Sequence, residues 1–187
     1  MKKILLSSLC FLALAACGGE SATVSCQNQY WDGTVGTCLP AGWHVVDRAA
    51  LDDRGVPPEA IIAFQADEPF SGQYATVTVI REPLTRQMTS TEYSDASIQS
   101  VSTVAGYTKV DSESITVDGE EVILHTFTAQ PRTDEPKTRF AQVSAISGMT
   151  GYTFTAATPV AVGNTLEQQV LLILKNMTMK DPKAAAE

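Results

Sequence analysis

The spacing of apolar and polar positions changes along the chain, and each change marks an element. Leu39–Val46 reads as a turn that enters a strand. Leu51–Glu59 holds Asp52, Asp53, Gly55, Pro57 and Pro58 and reads as a loop. Ala60–Gln65 is a short apolar run, expected to be a buried strand, and Asp67–Gly72 turns the chain. In Tyr74–Arg81, Tyr, Thr, Thr and Ile alternate with Ala, Val, Val and Arg, the period of two that β-branched residues favour in strands. The period then lengthens. Thr89-Ser90-Thr91-Glu92 forms a capping box, with Thr89 as N-cap and Glu92 three residues on. Tyr93, Ala96, Ile98, Val101, Val104 and Ala105 follow at helical spacing, and Gly106 is expected to end the helix.

From Tyr107 onward the pattern returns to strands. Tyr107–Val117 and Glu121–Gln130 flank Asp118-Gly119, a strong two-residue hairpin signal. Val122, Leu124, Thr126 and Thr128 share one face of the second strand, and Ile123, His125, Phe127 and Ala129 the other. Both faces carry apolar residues, so this strand is expected to be central and covered on both sides. Pro131–Pro136 is a charged loop. Arg139–Ile146 and Tyr152–Ala157 form a further hairpin across Ser147–Gly151. Last, Asn164 or Thr165 is expected to cap Leu166–Met177, whose Leu166, Val170, Ile173, Leu174 and Met177 make an amphipathic stripe. Two helices interrupting runs of strands predict an α+β fold, an antiparallel sheet with helices packed on it.

The first residues read as an address. Lys2 and Lys3 precede an apolar run, Ile4–Ala13, which is too short to span a bilayer. It ends in Leu14-Ala15-Ala16-Cys17-Gly18-Gly19. Small residues before a cysteine resemble the lipobox of bacterial lipoproteins. That resemblance implies cleavage after residue 16 and a Cys17 carrying a diacylglycerol and an N-acyl chain, several acyl chains together being enough to hold a protein stably on a membrane. The organisation expected is a signal peptide over 1–16, a lipidated Cys17 and short tether over 17–25, one domain over 26–180 and a frayed tail over 181–187. Gly18-Gly19, with no Asp after the cysteine, is similar to lipoproteins sorted to the outer membrane where an envelope has two.

Four cysteines are present. Cys10 falls in the signal segment and Cys17 is the lipidation site. Cys26 and Cys38 flank an Asp32-Gly33 turn signal, and an exported compartment permits oxidation, so a hairpin closed by a Cys26–Cys38 disulfide is expected. A metal or redox pair is the alternative reading. Tyr30 and Trp31 lie near the tip of this hairpin. They are candidates for contact with a partner, or else they cover one edge of the core.

Composition narrows the function without naming it. The chain has 187 residues, 44% hydrophobic and 18% charged, with a net charge of −8. That balance excludes a disordered tail or a disulfide-dense miniprotein, and the acidity makes nucleic acid an unsuitable partner. Without Lys2 and Lys3 the net charge is about −10, which anionic headgroups repel, so lipid rather than a basic patch must supply any membrane attachment. No GxSxG elbow, phosphate loop, HExxH or EF-hand loop occurs. His125 lies between apolar neighbours and reads as a core histidine, and His44 as a structural surface one. Asp52-Asp53 and Asp134-Glu135 are acidic loop pairs of the kind that oxygen-ligated cations use, and that solvated loops also carry. No catalytic residue and no metal site is assigned.

The order of motifs resembles the PsbP/Mog superfamily, an α/β/α sandwich that also includes the DcrB-type bacterial lipoproteins. The residues that carry the likeness are Leu39-Pro40-Ala41-Gly42-Trp43 at the first strand, Ala75–Ile80 leading into the Thr89–Gly106 helix, and the Val117-Asp118-Gly119-Glu120 turn. Gly151-Tyr152-Thr153-Phe154-Thr155, then Thr158-Pro159 and a terminal helix, complete it over about residues 38–180. The chain departs from the pattern in tying Cys38 to an N-terminal hairpin. The resemblance implies a non-catalytic binding or assembly role, as in photosystem accessory subunits and a Ran-binding transport factor, and envelope roles as in the DcrB-type proteins. It offers no catalytic residues and no cofactor. The resulting expectation is an envelope lipoprotein that meets the membrane through its lipid and binds an envelope protein. A small-ligand or cation carrier and a hydrolase using Ser or Thr with His125 are the alternatives.

Overall fold

The computed structural model describes residues 24–182. The signal segment, Cys17 and the start of the tether lie outside the described residues, as do residues 183–187 of the expected tail.

The chain begins with a hairpin, β1 (Asn28–Trp31) and β2 (Gly36–Leu39), paired so that Gln29 stands opposite Cys38. The Asp32-Gly33 turn forms as its residues dictate: the Asp32 carboxylate accepts from the backbone N–H groups of Thr34 and Val35, both at 2.8 Å. Strand β3 (Trp43–Val46), helix α1 (Arg48–Asp53), β4 (Ala60–Ala66), β5 (Thr76–Pro83) and α2 (Ser90–Val101) follow. The meander β6 (Thr108–Val117), β7 (Glu120–Ala129), β8 (Thr138–Ser147), β9 (Thr150–Pro159) leads to α3 (Asn164–Lys175).

Seven strands make one antiparallel sheet in the order β3-β4-β5-β9-β8-β7-β6. Helix α3 and the β1–β2 hairpin cover one face. There Phe64, Val77, Val79, Val143 and Phe154 meet Ile173 and Leu174 in the main core. Each such side chain fully withdrawn from water contributes about 1.5–3 kcal/mol. The hairpin is bound into this layer by the Thr37 hydroxyl donating to the Ile173 carbonyl at 2.5 Å, and by Gly36 and Thr178 exchanging backbone hydrogen bonds at 2.8 and 3.0 Å. Helices α1 and α2 lie on the other face, Leu51 against Val46 and Ala63, and Tyr93 against β9. The result is the expected α/β/α sandwich.

Four sequence expectations need correction. Residues Leu51–Asp53 are helical, not loop: Asp47 caps α1 by accepting from the Ala50 N–H at 2.9 Å, and Arg48 pairs with Asp52 one turn on. The capping box of α2 is present, but the helix ends at Val101. Residues 102–105 turn, and left-handed Gly106 (φ 69°) passes beside Gln130, where a Cβ would come within 3.2 Å of the backbone nitrogen. Neither Asn164 nor Thr165 caps α3; Gly163 holds the N-cap position without a side-chain bond. And β7 is interior but not central, since β9 holds the middle of the sheet and β7 stands one strand in from the β6 edge.

Candidate functional site

Matched registers line up one row of side chains across all seven strands. Val46, Ala63, Thr78, Thr155, Gln142, His125 and Ser112 are successive cross-strand partners. Directly paired residues share a face, so the whole row belongs to the α1/α2 face. Its first two members are apolar and lie beside α1. The remaining five are polar. This face therefore differs in kind from the apolar face under α3.

Helix α1 packs on β4, while α2 packs on β7 and β8, leaving a gap floored by β5 and β9. A cavity of about 330 Å³ occupies it, walled by the second half of α2 and floored by Glu82, Gln142, Thr153 and Thr155. That volume is in the range of small-molecule pockets, about 300–1,000 Å³. Ile80 and Val101 give it an apolar side, and Ser97 and Ser100 add hydroxyls.

Tyr93 closes one end. Its hydroxyl lies 3.2 Å from Thr153 Oγ1, which lies 2.9 Å from Ser144 Oγ, a chain of hydroxyls beneath the helix. Burial pushes the Tyr93 phenol up to about 12, against the opposing hydrogen bond from Thr153, and the Glu82 carboxylate adds to the rise. Tyr93 can stand so low because β9 has Gly151 beneath it, where an added Cβ would come within 2.4 Å of the ring.

Gln142 is the anomaly of the site. The residue is 6% exposed, yet its Oε1 has no hydrogen-bond partner. Leaving a buried acceptor unpaired costs about 1–3 kcal/mol, and native proteins hold few such atoms.

His125, next along the row, is 1% exposed and fully satisfied. Tyr107 Oη lies 2.9 Å from Nε2 and Ser112 Oγ 3.2 Å from Nδ1. The ring stacks on Phe127 (5.3 Å between centroids) and on Tyr107 (6.0 Å). Burial lowers its pKa, and the Lys109 charge lowers it further. A serine hydroxyl on a histidine nitrogen is the contact a nucleophile and base make, but the second nitrogen faces a tyrosine where a triad places a carboxylate. The sequence reading found His125 and missed Ser112, although counting equally from the Asp118-Gly119 turn sets the two opposite each other.

The other expected site residues lie on the far face. Cys26 and Cys38 form a disulfide with their Cα atoms 5.5 Å apart. Tyr30 packs edge-on against Phe64 (5.1 Å), so its ring serves the core, while Trp31 is half-buried beside Gly36. Burial, then the nearby Asp32 charge, raise the Tyr30 phenol to about 12. The acidic pairs answer to arginines: Asp52 to Arg48, Asp134 and Glu135 to Arg132. Among the described residues no group of three or more His, Cys, Asp or Glu side chains is placed to hold a metal ion. His44 Nδ1 lies 2.6 Å from Asp67 at the surface. Among the described residues no helix is long and apolar enough to cross a membrane.

No protein-family model matches this chain, and no curated protein matches it by sequence. Solved structures do match in fold. Cyanobacterial PsbP (CyanoP) from Synechocystis sp. PCC 6803 superposes with a TM-score of 0.51 at 16% identity, over 89% of this chain and 99% of that one. LpqN of Mycobacterium tuberculosis, described as involved in cell envelope biogenesis, superposes with a TM-score of 0.57 at 14% identity, over 79% of this chain and 83% of that one. The fold is PsbP-like.

Proposed function

We propose that this chain is a lipid-anchored protein of the cell envelope that acts by binding an envelope protein rather than by catalysis. The observation that carries the reading is the run Leu14-Ala15-Ala16-Cys17 set nine residues before Cys26. Cys17 takes the diacylglycerol and N-acyl chains. The intervening chain reaches at most about 30 Å when extended, so the hairpin face is kept near the bilayer. Support comes from the fold shared with LpqN, a protein involved in cell envelope biogenesis. In an envelope with two membranes the anchor lies in the outer membrane and faces the periplasm; with one, it lies on the outer face of the cytoplasmic membrane.

Membrane fractionation tests the reading. The natural chain is expected in the membrane pellet and detergent phase, and Cys17→Ala in the soluble fraction. A Cys17→Ala chain that stays with membranes overturns it.

A further inference from the structure

We propose that the cavity between α2 and the β5–β9 floor binds a small organic ammonium ion, a protonated amine with a short carbon body. The polar groups of the cavity are weighted toward acceptors. Glu82 brings a carboxylate that interacts with the Tyr93 hydroxyl but makes no ion pair among the described residues, and no lysine or arginine lines the space. Gln142 brings a buried carbonyl oxygen with no donor. Threonine and serine hydroxyls can accept as well. What this set lacks is a cationic donor with several N–H groups, which an ammonium supplies. The carbon body of such a ligand has Ile80 and Val101 to lie against.

A bound ammonium would give the orphan of the polar row its donor once the Gln142 amide turns into the cavity. Charge-assisted hydrogen bonds are roughly twice as strong as neutral ones, so an amine should be held well above its alcohol analogue. The proposal does not depend on the anchor: the cavity is on the sheet face opposite the hairpin that Cys26 closes.

Thermal unfolding of the purified chain tests it, because a ligand that binds only the folded state raises the midpoint with concentration. Three amines represent three sources: ethanolamine for a lipid headgroup, glucosamine for an amino sugar, and cadaverine for a polyamine. Ethylene glycol, glucose and pentane-1,5-diol are their alcohol counterparts, and tetramethylammonium carries the charge without an N–H. At least one amine should raise the midpoint saturably and bind about tenfold or more tightly than its alcohol, with tetramethylammonium inert. Glu82→Gln, at an exposed position, should abolish the shift, and Gln142→Leu should do the same while keeping or raising the unliganded midpoint. If Gln142→Leu does not fold, Glu82→Gln alone decides. Equal shifts by amine and alcohol, no saturable shift by any amine, or full binding by Glu82→Gln overturns the proposal and leaves the cavity to water. Cys17→Ala should bind as the natural chain does, which separates this test from that of anchoring.

Discussion

Gln142 of β8 and His125 of β7 face each other as a cross-strand pair, yet they are opposites in polar satisfaction. Both ring nitrogens of His125 have hydroxyl partners, whereas the Gln142 carbonyl oxygen has none. The boundary between satisfied and unsatisfied polarity on this face runs between these two residues.

Stability should fall in mild acid because of His125. Its folded pKa is depressed by burial and then by Lys109, so the unfolded chain takes up a proton more readily. The stabilisation is full above the unfolded value of about 6.5 and is lost as pH drops through the lower folded value. Denaturant midpoints measured between pH 7.5 and 5 should show this fall, and His125→Gln should flatten it. An unchanged slope in the variant would refute the assignment.

A methyl group at residue 151 should lever α2 from the sheet. Gly151→Ala sets a Cβ into the Tyr93 ring, and overpacking of this kind costs about 1–3 kcal/mol. Combining it with Tyr93→Ala should remove most of that cost in a double-mutant cycle. Additive losses would show that the two residues do not meet.

The hairpin disulfide should be worth about 3 kcal/mol, the chain-entropy value for a loop this short. Cys26→Ser with Cys38→Ser should lower the denaturant midpoint accordingly. Intact mass of the natural chain, unreduced, should be lower than that of the reduced chain by two hydrogen atoms. Two alkylatable thiols at these positions would contradict the bridge.

Ser112 should not behave as an activated nucleophile. His125 is held between aromatic rings, and hydroxyls of Tyr107 and Ser112 take its two nitrogens, so among the described residues no carboxylate hydrogen-bonds the ring to stabilise an imidazolium. A fluorophosphonate probe should leave Ser112 unlabelled at pH 7–8. Labelling abolished by His125→Gln would restore the hydrolase reading.

The elements legible in the sequence are those whose signals are local. The Thr89–Glu92 capping box, the Asp118-Gly119 turn and the stripe on α3 each work within about three helical turns or across one hairpin. Helix α1 escaped because its last residues, Asp52 and Asp53, run into Gly55, Pro57 and Pro58, which dominate the stretch read as loop, while its signal, the single Asp47 cap, stands outside that stretch. The cavity escaped for a different reason. It draws Glu82, Tyr93, Gln142 and Thr153 from four elements, and their meeting depends on β5 pairing with β9, a partnership between residues 67 to 81 positions apart that no local period announces. Half of its floor was within reach: Gln142 and Thr155 are equidistant from the Gly148-Met149 turn.

The bridge between Cys26 and Cys38 also decides how the domain carries a mechanical load. Tension arriving from the N-terminal side cannot unzip β1 from β2 one hydrogen bond at a time, because it passes covalently from Cys26 to Cys38. It enters β2 beside Thr37, which is tied to α3, and Gly36, which forms an isolated bridge with Thr178 after α3. The force therefore meets the two ends of the described fold together, so a pull on the leading end does not peel β1 away alone.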